Sequence, residues 1–336
     1  MREKSYAPVF VTVYDRPAHF KKCIDSLKNN VGASETTLFV SSDGARDERS
    51  KEKVAIVRDY IKTISGFKRV VAFTPEENTR GLIKKEVRNR VQEFSDRYIC
   101  SEDDNIFSPY FLSYMNKALD LYEDDDRIRS ISGYMYPGFP AQELRPILIQ
   151  AHAGWGVGYW RDRDIISGID QKAFAQEIFA NRELFTKINN SLPHMAPKLK
   201  QMAEGRLIAG DVIRSALLFK HDWYSVSPSI SLVRNIGHDG TGVHGGISER
   251  YVNQEICNTE ISFNGIFHLE LNALYQDWIY KYFGGWPAAL RNELIYLEKN
   301  ASNEILCRLW QLTYKSVRFP GRVVGCLLPR IKQRWP

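Results

Sequence analysis

Short apolar runs alternate with stretches of helical periodicity through the first 130 residues, and this alternation is typical of a parallel sheet flanked by helices. The first run is almost entirely apolar or β-branched, as expected for a strand buried on both faces. The predicted strands are Pro8–Tyr14, Thr37–Ser41, Arg69–Phe73 and Arg97–Cys100. The predicted helices are Pro17–Lys28, Glu48–Lys62, Gly81–Phe94 and a fourth, capped by Ser108 and begun by Pro109, that ends near Tyr122. The sequence therefore predicts an α/β fold with a Rossmann-like, mostly parallel sheet.

Polar and acidic residues follow three of these predicted strands. Asp15 and Arg16 come after the first strand, Asp43 after the second, and the run Glu102-Asp103-Asp104-Asn105 after the fourth. In an open α/β sheet, ligands bind outside the carboxyl ends of the strands. We therefore expect the three turns to converge on one crevice.

The composition of the first turn excludes two common classes of nucleotide-binding protein. A dinucleotide site needs glycines directly after the first strand, but the turn Asp15-Arg16-Pro17-Ala18 has none. The chain also lacks the GxxxxGK[ST] phosphate loop. Because carboxylates repel a pyrophosphate, an acidic crevice can hold one only through a divalent cation such as Mg²⁺ or Mn²⁺.

The acidic run at residues 102–104 is the predicted site of that cation. Its oxygen ligands suit a hard ion, and the run interrupts the path from a buried strand to a helix. A solvated acidic turn is the alternative. An equally acidic run, Glu123–Asp126, follows a helix end where acids oppose the helix dipole, so we expect an exposed loop there.

The second half of the chain has a different organisation. Beyond residue 130 the strand–helix rhythm ends, and Gly, Trp and Tyr become dense in Gly133–Gly138 and Gly154–Trp160. We predict a helical excursion over Gln171–Gly205, a helix over Gly210–Lys220 and a strand over Val226–Arg234. The predicted segments are residues 1–130, residues 131–264 as an irregular second half of the same domain, and residues 265–336 as a helical C-terminal extension.

Positive charge is concentrated at the C-terminal end of the chain. The net charge of the 336 residues is +6, but after Glu304 there are seven bases and no acid, so residues 1–304 carry 39 bases against 40 acids. A basic groove for nucleic acid is therefore not supported. In Ile305–Pro336, Trp310, Phe319 and Trp335 lie among the basic residues, which predicts contact with an anionic membrane surface. A helix packed on the body is the alternative.

The cysteines and the N-terminal segment indicate the compartment. Five widely spaced cysteines without a CxxC pair argue against a disulfide framework and a structural zinc site, so we expect reduced thiols. The N-terminal residues show no apolar secretory segment, and no run of about 18 uncharged apolar residues occurs. We expect a cytoplasmic protein, peripheral on the inner face of the cell membrane.

Five segments of the chain carry a family resemblance. They are Val11–Ala18 (VTVYDRPA), Ser41–Gly44 (SSDG), Ser101–Phe111 (SEDDNIFSPYF), Gly154–Arg163 (GWGVGYWRDR) and Ser229–His244 (SISLVRNIGHDGTGVH). In this order and spacing the chain resembles glycosyltransferases of the GT-A fold, specifically the N-acetylglucosaminyltransferase I type and bacterial surface-polysaccharide glycosyltransferases. The resemblance spans about two thirds of the chain. It implies that residues 1–130 are the nucleotide-sugar-binding half and that residues 131–264 are the acceptor and catalytic half of the same domain.

The resemblance implies roles for individual residues. Asp43 would contact the nucleotide base, with Asp15 and Arg16 lining the same pocket. Asp103 and Asp104 would form a variant DxD element, in which Asp103 contacts the nucleotide and Asp104 is the direct metal ligand. The family's catalytic base is an acid at the start of a helix in the second half, and Asp211 matches that place although the tryptophan usually beside it is absent.

Other candidates have structural alternatives of their own. His244, in a glycine-rich loop, could complete the metal shell or could simply be exposed. Trp155 and Gly156 could contact the acceptor sugar, since aromatic faces suit a pyranose, but core packing accounts for a tryptophan equally well. Lys84, on the third predicted helix, could approach the sugar diphosphate or could be solvated helix surface.

Together these features predict a metal-dependent, inverting glycosyltransferase in bacterial polysaccharide biosynthesis. It would move a sugar from a nucleotide-diphosphate donor, expected to be a UDP-sugar, to a hydroxyl of a glycan or lipid-linked glycan. The enzymatic alternative is a sugar-1-phosphate nucleotidyltransferase, which usually has a glycine- and arginine-rich loop after the first strand. The other alternative is a non-catalytic glycan- or nucleotide-binding protein of the same fold.

Overall fold

The computed structural model of the chain describes residues 5–164, 166, 168–242, 246–263 and 269–300. Its strands are β1 (Val9–Val13), β2 (Thr37–Ser42), β3 (Arg69–Phe73), β4 (Arg97–Glu102), β5 (Asn105–Phe107), β6 (Ile128–Ser132), β7 (Pro146–Ile149), β8 (Val157–Trp160), β9 (Tyr224–Pro228) and β10 (Val233–Asn235). Its α-helices are α1 (Pro17–Lys28), α2 (Glu48–Thr63), α3 (Leu82–Phe94), α4 (Phe111–Leu121), α5 (Gln171–Ala180), α6 (Arg182–Asn189), α7 (Met195–Ala203), α8 (Gly210–His221), α9 (Glu249–Val252), α10 (Ala273–Tyr282) and α11 (Gly285–Asn300).

Eight of the strands form one twisted sheet in the order β3-β2-β1-β4-β8-β6-β9-β7. The strands β3, β2, β1 and β4 are parallel, β8 is antiparallel to both of its neighbours, and β9 is parallel to β6. A separate antiparallel pair joins β5 to β10. The predicted α/β class, with a mostly parallel sheet, an irregular second half and C-terminal helices, is confirmed by this arrangement.

The alternation of side chains along β1 explains why helices cover both faces of the sheet. Val9, Val11 and Val13 belong to the larger apolar cluster, which includes Phe20 of α1. Phe10 points to the opposite face and joins a smaller cluster with residues of α3 such as Val87. Because successive strand side chains point to opposite faces, a nearly all-apolar run is the sequence of a strand buried on both sides.

Two local predictions were wrong. The fourth helix begins at Phe111 and not directly after Ser108: Ser108 lies in the turn before it, where its Oγ accepts from the Tyr110 N–H (3.2 Å) and its carbonyl accepts from the Phe111 N–H. The predicted strand Val226–Arg234 is two strands, because β9 ends at Pro228 and β10 begins at Val233 in the other sheet. Proline lacks the N–H that would continue a strand ladder, which explains the break at Pro228.

The chain divides into two compact units. The first comprises residues 1–169 and 214–276, and the second comprises residues 170–213 and 277–336. Within the second unit, α6 and α11 are joined by buried amides, since the Asn189 side-chain amide donates to the Ala289 carbonyl (2.9 Å) and Asn292 donates to Asn189 (2.8 Å). The division into 1–130, 131–264 and 265–336 stays a prediction.

No described helix is long and apolar enough to cross a membrane. Cys23, Cys100 and Cys257 are free thiols, and burial raises the pKa of Cys23 well above its ordinary value. The basic segment Ile305–Pro336 lies outside the described residues, so its predicted membrane contact stays a prediction.

A buried histidine makes the stability of the first unit depend on pH. Burial, aided by the charge of Arg214, lowers the pKa of His152 to about 3. The unfolded chain takes up a proton at this residue below about pH 6.5 whereas the folded chain does not, so the free energy of unfolding falls as pH decreases. Between pH 7.5 and 5.0 we expect a loss of about 2 kcal/mol from His152.

Urea unfolding of the wild type and His152→Gln at both pH values measures this contribution. Between pH 7.5 and 5.0, the free energy of unfolding of the variant should fall by about 2 kcal/mol less than that of the wild type. Equal pH dependence in the two proteins would show that His152 titrates normally in the folded state.

Candidate donor site

The turns that follow β1 and β4 meet at one guanidinium group. Arg16 precedes Pro17 of α1, and the register Thr12↔Glu102 sets the ends of the two strands side by side. Arg16 Nη2 forms ion pairs with Asp103 Oδ1 and, at 2.9 Å, with Asp104 Oδ2, while Arg16 Nε donates to Asp103 Oδ2 (3.3 Å). The structure therefore brings three of the predicted site residues into direct contact.

Both carboxylates of this cluster are removed from water. Asp103 is 4% exposed and Asp104 is 6% exposed. Burial raises the pKa of Asp103 to about 7, and the charge and hydrogen bonds of Arg16 oppose the increase. One arginine faces two buried acids, so the cluster carries more negative than positive charge when both are ionised.

Strand β10 orients the Asp104 carboxylate. The Asn235 side-chain amide donates to Asp104 Oδ1 (2.8 Å) and to Asn105 Oδ1 (3.1 Å), and the Ile236 N–H donates to the Asp104 carbonyl (2.8 Å). These bonds leave Oδ2 directed at Arg16. The sequence did not assign Asn235 a role, although it lies within the segment Ser229–His244 that carried the resemblance.

Gly237 lets the chain pass directly over Asp104. A Cβ atom at this position would lie 2.8 Å from Asp104 Cγ and 3.0 Å from Arg16 Nη1. Its distance to Asp104 Oδ2 would be shorter than Cβ contacts found in proteins. Gly237 is the second functional position that sequence reasoning missed, and its only sequence signal is the run NIGHDG in the last resembling segment.

Asp43, in the turn after β2, uses its carboxylate to hold the neighbouring turn 78–81. Oδ1 accepts from the N–H groups of Gly44 (2.9 Å) and Thr79 (2.7 Å), and Oδ2 accepts from Thr79 Oγ1 (3.0 Å) and the Gly81 N–H (2.9 Å). Burial raises the pKa of Asp43, but these hydrogen bonds outweigh it and hold the pKa below its ordinary value. Since a carboxylate offers about four acceptor positions, all are occupied.

The turn that Asp43 holds has an unusual backbone conformation. Arg80 has a φ of 55° and Gly81 a φ of 86°, so two successive residues are left-handed just before α3 begins. A non-glycine residue in this region is strained and persists when its surroundings fix it. The structure therefore gives Asp43 a positioning role, and its predicted contact with a base, which would replace one of the four hydrogen bonds, stays a prediction.

Removal of the Asp43 carboxylate should destabilise this turn. For Asp43→Ala we expect the free energy of unfolding to fall by about 3 kcal/mol, because hydrogen bonds to a charged group contribute about 1.5–3 kcal/mol each and several donors lose their acceptor. Urea unfolding compares this variant with Asp124→Ala, which removes an exposed acid. Equal effects of the two substitutions would contradict the positioning role.

The structure places Asp15 and Lys84 at the same end of the sheet. Asp15 is partly exposed in the turn after β1. Lys84, in the first turn of α3, lies with Nζ 3.7 Å from Glu102 Oε1, and both side chains are nearly half exposed. A solvent-screened pair of this kind contributes little to stability, so Lys84 is available to a ligand, and its predicted contact with the sugar diphosphate stays a prediction.

Trp155 and Gly156 lie just before β8. The Trp155 ring packs edge-on against Tyr134 (4.6 Å between centroids), His238 (5.5 Å) and Tyr251 (5.6 Å). Gly156 has a φ of 70°, and a Cβ there would press on Phe111 and Val233 at 3.0 Å. Packing thus accounts for Gly156, while a sugar contact by either residue stays a prediction.

Asp211 and His244 complete the set of predicted site residues. Asp211 is in the first turn of α8, as the resemblance implied, and its half-exposed carboxylate lies 4.0 Å from Lys198 Nζ. It belongs to the second unit. His244 lies outside the described residues. The catalytic and metal-binding roles of these two residues stay predictions.

The residues of this cluster fit a hard divalent cation. Asp103 Oδ1 and Asp104 Oδ2 already converge on one positively charged atom, Arg16 Nη2. Mg²⁺-type sites use one or two carboxylates and take their other ligands from water and substrate phosphates. No group of three or more His, Cys, Asp or Glu side chains arranged for a metal occurs among the described residues. A cation here would therefore depend on the two aspartates and on its ligand.

Comparisons of the sequence with known proteins give no match. No protein-family model matches the chain, and no curated protein matches it.

Comparison of the structure with solved structures gives distant matches. The crystal structure of S. aureus TarS 1-349 is 12% identical over 87% of this chain and 80% of that chain, with a TM-score of 0.39. The mannosyltransferase PcManGT from Pyrobaculum calidifontis, in complex with GDP-Man and Mn²⁺, is 12% identical over 97% of this chain and 84% of that chain, with a TM-score of 0.38. A cytidylyltransferase from Leptospira borgpetersenii is 10% identical over 47% and 62%, with a TM-score of 0.26. At these scores the likenesses carry no argument about function.

Proposed function

We propose that this protein is a metal-dependent glycosyltransferase that uses a nucleotide-diphosphate sugar as its donor. The observation that carries the proposal is the pair of buried carboxylates, Asp103 and Asp104, that converge on one cationic position at the carboxyl end of β4. Ligands of open α/β sheets bind at this end. A buried acidic pair without a nearby phosphate loop is suited to an anionic ligand only with an added cation.

Asp103 and Asp104 would hold the divalent cation, with Asn235 keeping the Asp104 carboxylate oriented. The cation would neutralise charge on the diphosphate that leaves during transfer. Arg16 would supply further positive charge to the same diphosphate once its carboxylate partners bind the cation, since its planar guanidinium suits phosphate oxygens. The fixed turn of residues 78–81 would form the adjoining wall of the cleft, with Lys84 on its helix.

Asp211 is the proposed general base. In a direct displacement the acceptor hydroxyl oxygen forms a bond to the anomeric carbon, the bond from that carbon to the diphosphate oxygen breaks, and the hydroxyl proton passes to the Asp211 carboxylate. A positioned general base contributes roughly 10²–10⁴-fold. One displacement without a covalent intermediate inverts the anomeric centre, so we propose an inverting enzyme.

The donor, acceptor and setting are proposals from the sequence. We propose a UDP-sugar as donor and a glycan or lipid-linked glycan as acceptor, in bacterial polysaccharide biosynthesis. The basic segment 305–336 would hold the enzyme at the inner face of the cell membrane, because cationic residues attract anionic lipids.

A donor-hydrolysis assay tests the proposed reaction without knowledge of the acceptor. Nucleotide sugars with uridine, guanosine or cytidine bases are incubated with the protein and Mn²⁺ or Mg²⁺, and the released nucleoside diphosphate is measured. We expect release from one base class, and loss of release in EDTA. Pyrophosphate release from a nucleoside triphosphate with a sugar 1-phosphate would instead identify a nucleotidyltransferase, and no turnover of any donor or acceptor would favour a binding protein.

A further inference from the structure

A cavity of about 30 Å³ lies in the first unit, at the end of the sheet opposite the candidate donor site. Arg129, Arg163 and Arg214 line it, together with His152, Tyr159 and Trp223. These residues come from the start of β6, the end of β8 and the turn after it, the segments beside β7 and β9, and helix α8. Because Arg97 pairs with Trp160, the cavity lies at the end of the sheet where β4 begins. The six residue steps from Arg97 to Asp103 correspond to about 20 Å at about 3.3 Å per residue.

Arg129 reaches this cavity without an acidic partner. Its guanidinium stacks on the Trp223 ring at 3.7 Å, and its buried Nε atom has no hydrogen-bond partner in the part of the chain that the structure describes. Among the described residues, no carboxylate lies within ion-pair distance of Arg129. Buried donors in folded proteins are nearly always paired with protein groups, ordered water or a ligand, so a donor left unpaired at a cavity wall is available to a group from outside the chain.

The other two arginines are fixed by the fold and add to the positive charge. Arg163 donates to the carbonyls of Ile128 (2.8 Å) and Asp125 (3.1 Å), and its Nε atom is also buried without a partner. Arg214 pairs with the fully buried Asp164 carboxylate at 2.5 Å.

The net charge of the cavity is positive. Three arginines line the cavity and one of them, Arg214, is paired with a buried carboxylate, while Asp126, 3.9 Å from Arg163, is 99% exposed and therefore screened by water. Asp162 contributes a further attraction at Arg129 but does not line the cavity. His152 is uncharged at neutral pH because burial lowers its pKa to about 3. The three arginines and Asp164 therefore give the cavity an excess of about two positive charges.

We infer that this cavity is a second, anion-binding site that takes a phosphate group, separate from the donor cleft. A phosphate carries about −1.5 to −2 charges at pH 7, which matches the excess positive charge. Its oxygens suit the fork of donors on an arginine. Ser130 and His152 offer additional polar groups at the cavity wall.

Isothermal titration calorimetry with inorganic phosphate, at constant ionic strength, tests the site. We expect the wild type to bind one phosphate and Arg129→Gln to bind at least tenfold more weakly, while Arg129→Lys, which keeps the charge, binds between the two. Among the described residues Arg129 forms no ion pair, and its variants change the stacking on Trp223, so they should fold, and thermal unfolding without phosphate checks this.

Arg16→Gln separates this site from the donor cleft. It should bind phosphate as the wild type does, whether or not the proposed transferase activity is correct. No binding by the wild type, unchanged binding by Arg129→Gln, or loss of binding only in Arg16→Gln would overturn the inference.

A titration with glycerol 1-phosphate identifies the source of the phosphate group. Tighter binding of the ester than of inorganic phosphate would indicate a phosphorylated ligand, and weaker binding would indicate the free ion. Either result supports the site if Arg129→Gln weakens binding at least tenfold.

Discussion

Asp104→Asn should reduce donor turnover by at least ~1000-fold, since loss of a single preorganised charge-stabilising group alone costs about 10²–10³. The amide has nearly the same shape as the carboxylate, and its oxygen can still accept from Asn235. It lacks the negative charge that would hold a divalent cation. The measurement is nucleoside diphosphate release with saturating Mn²⁺.

Asp124→Asn is the matched control for this substitution. Asp124 lies in the turn after α4, and its carboxylate is exposed to solvent whereas the carboxylate of Asp104 is buried. It should retain wild-type turnover, and both variants should unfold at nearly the same temperature as the wild type. Substantial activity in Asp104→Asn would show that the acidic pair does not hold the catalytic cation.

Gly237→Ala should reduce turnover by roughly 100-fold without unfolding the protein, because a displacement of about 1 Å at a reacting centre can cost about 10²-fold. The added methyl group would press on the Asp104 carboxylate and on Arg16, which must both move. The change leaves every titratable group in place, so it isolates the effect of geometry. Mn²⁺-dependent donor turnover and thermal unfolding are measured together.

Gly154→Ala is the control for the added methyl group. Gly154 is exposed and no atom lies within 4 Å of a Cβ built on it. Its turnover and unfolding temperature should match those of the wild type. Wild-type turnover in Gly237→Ala would contradict a role in turnover for the close approach of the loop after β10 to Asp104.

The sequence predicted the parallel half of the fold well because its signals are local. The run Pro8–Tyr14 is apolar enough to require burial on both faces, and β1 runs within it, from Val9 to Val13. Pro17 marks the beginning of α1 and Asp47 caps α2 through the Ser50 N–H (2.9 Å). The pairing of β5 with β10 was missed because it joins three-residue segments more than 120 residues apart, and neither segment has a periodicity of its own.

The sequence also predicted part of the candidate site. Parallel strands end at one edge, so the contact of Arg16 with Asp103 and Asp104 follows from topology. The binding partners of a carboxylate do not follow from topology. Asp43 resembles a ligand-binding acid in sequence, yet its oxygens accept from the turn 78–81, which no local pattern near Asp43 indicates.

The arginine cavity could not be predicted from sequence. Arg129, Arg163 and Arg214 are far apart in the chain. Arg129 and Arg163 lie at one end of the sheet because β8 runs antiparallel to both β4 and β6, and Arg214 is added by helix α8. The inferred phosphate site is therefore at the end of the sheet opposite the one at which parallel strands place their ligands.

Binding of a nucleoside diphosphate with and without Mn²⁺ tests the central claim most directly. Calorimetric titration of UDP, GDP and CDP into the wild type should give one preferred base, with affinity at least ~100-fold higher in Mn²⁺ than in EDTA, a difference of about 2.7 kcal/mol. The increase should disappear in Asp104→Asn. Equal affinity in Mn²⁺ and EDTA, or an undiminished increase in that variant, would contradict a divalent cation held by Asp103 and Asp104.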